Sequence, residues 1–306
     1  MIGPVSDFNQ AFLGPESPHQ CDYHTSKFVI IPAPLEATVS YGSGASMGPS
    51  AIIAASQQVE ILDLETRTRP LDLGIATMSS LPRCDDPREF LDILRDTVFG
   101  IVRDGKIPIT LGGEHTISLG PIEAICKHRK GKPFSILHFD AHADLRFSYQ
   151  GSEYSHASVI RQILHRFPEV NVVQVGIRAV CEEEIEYIEQ NPNRVKTFWA
   201  HEMKNWHIED MLSPLLEDLY ITIDVDGLDP SIMPATGTPE PGGLLYFQCL
   251  EIMRKASENR NIIGGDVNEL APLAGFHGCD LLAARLAYKL MAYSGLRRRQ
   301  DGTRSL

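Results

Sequence analysis

A chain of 306 residues, 43% hydrophobic and 22% charged, can bury a sizeable core as one large domain or two small ones. Its formal net charge of −12 argues against nucleic acid, whose phosphates need a basic surface, and is compatible with small cationic substrates. No apolar run approaches the roughly 18 residues of a membrane span, the first residues lack the pattern of a secretory leader, and Cys21, Cys84, Cys126, Cys181, Cys249 and Cys279 form no C-x-x-C pair, so a reduced, cytoplasmic protein with free thiols is expected.

Residues 1–25 carry Pro4, Pro15 and Pro18 with few periodic apolar positions and read as an irregular arm. From residue 28 onward strand-like and helix-like runs alternate. Strands are predicted at 28–33, 107–111, 134–139, 171–176, 195–199, 219–225 and 261–267, with a weaker one near 71–75. Amphipathic helices are predicted at 87–103, 118–129, 155–166, 243–256 and 279–291. Gly48 and Pro49 read as the cap and opening of a further short helix, after a cleft-lining loop from Tyr41 whose glycine spacing does not fit a phosphate loop. Apolar β-branched strands alternating with helices indicate an α/β fold: a single three-layer domain, residues 26–306, with a mostly parallel sheet of about eight strands flanked by helices. The basic stretch at 297–302 reads as a solvated tail.

Three short stretches carry the chemistry: Gly112-Gly113-Glu114-His115, Asp140-Ala141-His142-Ala143-Asp144 and Asp224-Val225-Asp226-Gly227-Leu228-Asp229-Pro230. Each follows a predicted strand, and open parallel sheets bind ligands beyond the carboxyl ends of their strands. If strand geometry persists, Asp140, His142 and Asp144 share one face, as do Asp224 and Asp226. Four close carboxylates repel one another unless cations neutralise them, so His115, Asp140, His142, Asp144, Asp224 and Asp226 are the expected metal ligands. His138 is read as a packed or supporting histidine, and Asp229, which precedes Pro230, as the residue fixing the turn after the third cluster. Carboxylates and imidazoles without thiolate suit Mn²⁺ or a related octahedral ion. A water shared by two such cations loses a proton near neutral pH, which predicts metal-assisted hydrolysis.

These stretches, with Ala235-Thr236-Gly237-Thr238-Pro239-Glu240-Pro241-Gly242-Gly243, resemble the ureohydrolases, the arginase and agmatinase family, over nearly the whole chain. The resemblance implies an arginase-like fold and two Mn²⁺ per subunit. One ion would be held by His115, Asp140, Asp144 and Asp224, the other by Asp140, His142, Asp224 and Asp226. It also implies that the shared hydroxide attacks a guanidinium carbon to give urea and an amine. His156 matches the family's proton-shuttling histidine, and Glu269 the carboxylate that pairs with the substrate guanidinium. A homo-oligomer, trimer or hexamer, is implied as well.

The Asp144-Leu145-Arg146 and Tyr154-Ser155-His156-Ala157-Ser158 loop looks like the agmatinase branch, so agmatine is the first expected substrate, yielding putrescine in polyamine synthesis. N1-aminopropylagmatine, 4-guanidinobutyrate and arginine remain alternatives. Arg146 suits a substrate carboxylate better than a dication, whereas Glu153 could meet a distal amine. Two other readings, a zinc deacetylase on the same fold and a non-catalytic metal-binding member, fit the retained His115, Asp144, His156 and Glu269 less well.

Overall fold

The computed structural model describes residues 3–4, 10–14 and 20–296; the expected tail at 297–302 lies outside the described residues. Eight strands form one parallel sheet: β1 (Phe28–Ala33), β2 (Ile75–Thr77), β3 (Ile107–Gly112), β4 (Phe134–Phe139), β5 (Val170–Ile177), β6 (Val195–Trp199), β7 (Asp218–Asp224) and β8 (Asn261–Asn268). The strand order is β2-β1-β3-β8-β7-β4-β5-β6. The inner strands are buried nearly end to end and are mostly apolar, as coverage of both sheet faces requires.

Successive strand residues feed opposite cores. Phe28 and Ile30 join one apolar cluster with Ile52, Cys249, Met253, Leu286 and Leu290. Those partners come from α1 (Gly48–Ser56), α7 (Tyr246–Glu258) and α8 (His277–Tyr293). Val29 and Ile31 join the other cluster, with Phe90, Leu94, Ile122 and Ile163 from α2 (Pro87–Arg103), α3 (Leu119–Arg129) and α4 (Val159–Arg166). Helix, sheet and helix are therefore three layers, and each fully buried Ile, Leu or Phe contributes about 1.5–3 kcal/mol. At the start of α2, Asp86 accepts from the backbone N–H of Arg88 at 2.9 Å and Pro87 opens the first turn, which sets that boundary.

Three expectations need correction. The weak strand near 71–75 is displaced: Pro70–Leu73 is a 3₁₀ turn, Gly74 turns the chain at φ 77°, and β2 begins at Ile75. Gly48 is the first residue of α1, not its cap, and Met47 precedes it. α5 (Glu182–Gln190) and α6 (Ile208–Leu212) were not anticipated, because short helices with few buried positions leave a weak apolar period. The described residues of the irregular arm are anchored to the domain. Phe12 is fully buried, its N–H bonded to Thr77 Oγ1 at 2.9 Å, and Leu13 N–H bonds Ser56 Oγ at 2.8 Å.

Candidate active site

The neighbouring strands β3, β8, β7 and β4 form the middle of the sheet, and their carboxyl ends lead into one cluster. His115 lies three residues past β3, Glu269 directly follows β8, Asp224 ends β7, and Asp140 directly follows β4. Strand parity is not what unites them. Residues i and i+4 of a strand are separated by about 13 Å, too far to share an ion pair. Instead β4 stops at Phe139, the chain bends, and Asp144 adopts a left-handed φ of 54°. Asp226 sits in a 3₁₀ turn (Val225–Gly227) after β7, pinned as its N–H donates to Asp224 Oδ1 at 2.9 Å.

The turns bring the six expected ligands together. His115 Nδ1 lies 3.0 Å from Asp140 Oδ2, 3.1 Å from Asp144 Oδ2 and 3.3 Å from Asp224 Oδ2. His142 Nδ1 lies 3.1 Å from Asp226 Oδ2 and 3.6 Å from Asp140 Oδ1. Among the described residues, Asp140 belongs to both groups whose ligand atoms are close enough to hold a metal ion.

The local chemistry fits cations. The Thr222 hydroxyl donates to Asp266 Oδ1 at 2.6 Å, so its oxygen accepts from His115 Nε2–H at 2.8 Å. In that neutral tautomer Nδ1 presents a bare lone pair, buried and without a hydrogen-bond partner, to three carboxylates. Lone pair against anion is repulsive, and a divalent cation between them satisfies both. The titration behaviour agrees. Burial alone would lower His115, but Asp140, Asp144 and Asp224 raise it well above the usual histidine range. Burial opposes the charged form of His142 too, yet Asp226 and Asp140 push it up to about 12. Burial and the charges of Asp226 and Asp140 raise Asp224 well above the carboxylate range. Without cations, protons neutralise this cluster; metal loading releases them.

Supporting bonds fix the orientations. Gln174 donates to His138 Nδ1 at 3.1 Å, so His138 donates Nε2–H to Asp140 Oδ2 at 2.7 Å and holds that carboxylate in place. Arg178 donates to the carbonyls of Asp226 at 2.6 Å and Glu240 at 2.7 Å, tying the Asp226 turn to the following loop. Asp229 accepts from the N–H groups of Ser231, Gly242 and Gly243 at 2.9–3.0 Å, the turn-fixing role expected of it. Thr222, Asp266, Gln174 and Arg178 were not identified from sequence. A signal existed for three of them: a polar side chain inside a buried apolar strand must have a partner.

Gly112 and Gly113 serve close approach. A Cβ at Gly112 would lie 2.0 Å from Asn268 Oδ1, and one at Gly113 would lie 2.0 Å from the Leu35 carbonyl oxygen. Gly113 cannot shift, since its N–H bonds Ala33 O at 2.9 Å and its carbonyl accepts from Glu269 N–H at 2.7 Å. Gly113→Ala is therefore expected to cost about 1–3 kcal/mol or more through overpacking. A thermal melt followed by circular dichroism checks this; an unchanged midpoint would contradict the close contact.

Glu269 is buried at a positive φ of 64°, and its Oε1 accepts from His115 N–H at 2.7 Å. Burial, then the charge of Glu114, raises its carboxyl well above the usual range. His156 opens a 3₁₀ turn (His156–Ser158) leading into α4; it is half-buried, and its Nδ1 lies 3.0 Å from Thr38 Oγ1. The Tyr149 ring stands edge-on to His156 at 5.6 Å, while the Arg146 guanidinium lies 5.3 Å above the Tyr149 ring. Glu153 is exposed.

Comparison with known proteins agrees with this arrangement. Residues 26–293 match the profile of the arginase family. The N(1)-aminopropylagmatine ureohydrolase of Synechocystis sp. is 37% identical over 291 residues, covering 92% of this chain and 93% of its own length. The agmatinase of Bacillus cereus is 35% identical over 267 residues, covering 82% and 86%. Among solved structures, the agmatine ureohydrolase of Thermoplasma volcanium superposes with a TM-score of 0.84 at 28% identity, covering 96% of this chain and 97% of that one. No helix among the described residues is long and apolar enough to cross a membrane. On its fold, its cluster and these relatives, the chain belongs to the arginase family and is an agmatinase-like ureohydrolase.

Proposed function

We propose that this protein hydrolyses the guanidinium group of an agmatine skeleton, releasing urea and an amine. The observation that carries the reading is the convergence of His115, Asp140, His142, Asp144, Asp224 and Asp226 beside the buried carboxylate of Glu269. Two Mn²⁺ ions are the proposed cofactors, held by His115, Asp140, Asp144 and Asp224 and by Asp140, His142, Asp224 and Asp226. Bound there, they supply a water of lowered pKa as the nucleophile. Glu269 pairs with the planar guanidinium, for which a carboxylate is the matching partner. His156 hands a proton to the departing amine, a poor leaving group until protonated.

N1-aminopropylagmatine is the first proposed substrate and agmatine, which the motifs alone put first, the second. The relatives named for the aminopropyl compound reach 37% identity, those named agmatinase 35%. The setting we propose is a cytoplasmic homo-oligomer, trimer or hexamer, in polyamine synthesis, with residues 26–306 as one ureohydrolase domain behind an arm at 1–25. One observation favours a different substrate: Arg146 brings a cation next to Tyr149, which touches His156, so a distal carboxylate such as that of 4-guanidinobutyrate would find a partner.

Urea release by the Mn²⁺-loaded protein, compared across N1-aminopropylagmatine, agmatine, 4-guanidinobutyrate and arginine, tests the reading. The highest kcat/KM is expected for the aminopropyl compound. Preference for guanidinobutyrate would make Arg146 a carboxylate anchor. Two bound metals with no urea from any of the four would refute the substrate class.

A further inference from the structure

Glu114 stands beside His115 in sequence, but its side chain turns away toward the loop after β1. It is fully buried, and four donors converge on it. Oε2 accepts from the backbone N–H groups of Ala37 and Thr38, both at 2.6 Å; Oε1 accepts from the hydroxyls of Thr38 at 2.8 Å and Thr116 at 2.7 Å. The single hydroxyl proton of Thr38 is thereby committed to Glu114. Its oxygen keeps two lone pairs, and two groups of His156 face them: the backbone N–H at 3.2 Å and the ring nitrogen Nδ1 at 3.0 Å. Since Thr38 has no second proton to give, Nδ1 must be the donor.

We propose that Thr38, anchored by Glu114, is a positioning residue that holds the His156 ring in its Nδ1–H tautomer and leaves Nε2 as the nitrogen that carries the transferred proton. This rests on the proposed role of His156 in the reaction. The tautomer of an imidazole is set by the bond its other nitrogen makes, and here that bond is the Thr38 hydroxyl. The backbone bond from His156 N–H to the same oxygen fixes the ring's distance from the loop as well as its rotation. The edge of Tyr149 at 5.6 Å limits the ring from another side. The arrangement therefore links the loop after β1 to the start of α4, two segments 118 residues apart in sequence.

Thr38→Val keeps the shape and removes the hydroxyl; Thr38→Ser keeps the hydroxyl. Thr38→Val is expected to lower kcat by at least about 10-fold, and by no more than the roughly 10²–10⁴-fold that a general acid supplies, with KM changed by less than about twofold. Thr38→Ser should restore most of the rate. In a His156→Ala background, Thr38→Val should cost nothing further, since it acts only through that ring. Full turnover in Thr38→Val, or an undiminished extra loss in the His156→Ala background, would overturn the proposal.

Nitrogen-15 spectra of histidine-labelled protein loaded with diamagnetic Mg²⁺ read the tautomer directly, with His156→Gln assigning the signal. Nδ1–H in the wild type and a changed tautomer population in Thr38→Val are expected; Nε2–H in the wild type would overturn the assignment. The spectra do not depend on turnover. A protein that hydrolyses none of the four guanidino compounds yet shows the Nδ1–H signal would refute the proposed reaction and leave the positioning intact.

Discussion

Asp140→Asn is expected to give a folded protein that neither holds two metal ions nor releases urea. Asp140 is fully buried and belongs to both groups of candidate ligands, so losing its charge weakens both ion sites at once. The amide also cannot satisfy what surrounds it. Oδ2 receives His138 Nε2–H at 2.7 Å and Oδ1 receives His142 N–H at 2.6 Å, so in either amide orientation one donor would face another. An unsatisfied buried donor costs about 1–3 kcal/mol. Removing one charge from a set of four carboxylates offsets part of that cost in the metal-free protein. With a total stability on the order of 5–15 kcal/mol, the fold should survive. Metal content after dialysis, thermal melting and urea release on the same sample separate the effects. A folded variant with two ions and ordinary turnover would remove Asp140 from the ligand set.

His156→Ala should retain both metals while turnover falls by roughly 10²–10⁴-fold, the range for loss of a general acid. Metal retention is expected because Nδ1 of His156 is bonded to Thr38, not to any of the six ligands. Stability should change little, since the half-buried ring removes no large apolar volume. The loss should fall on kcat, because the proton is needed when the amine departs and not when the guanidinium binds. An unchanged kcat would show that the leaving group takes its proton elsewhere. A loss of metal would instead place the ring nearer the ions than its bond to Thr38 implies.

Much of this protein was legible in the sequence for one physical reason. Strands buried on both faces must be mostly apolar, so β1 stands out as an unbroken run and β3, β4, β5 and β7 as apolar runs with a few polar residues, and polar clusters after the central strands mark the binding edge of the sheet. The six candidate ligands were therefore nameable from position and residue type, whereas His156 and Glu269 were named only through the family resemblance. Strand order was not legible, because the sequence does not say that β8 inserts between β3 and β7 and carries Glu269 to the backbone of His115. Nor was the way the ligands converge: parity along a strand put them on one face, but only the left-handed turn at Asp144 and the 3₁₀ turn at Asp226 bring them within reach of shared ions. The pairings within the supporting shell were not legible for the same reason, although buried polar residues such as Thr222 and Gln174 signalled that partners existed. Thr222 reaches His115, and Asp266 reaches Thr222, through pairing between strands, while Thr38 meets His156 across 118 positions of chain and Glu114 meets Thr38 across 76. Residue chemistry and local period are properties of the sequence; which side chain completes another's hydrogen bonds is decided when distant segments pack.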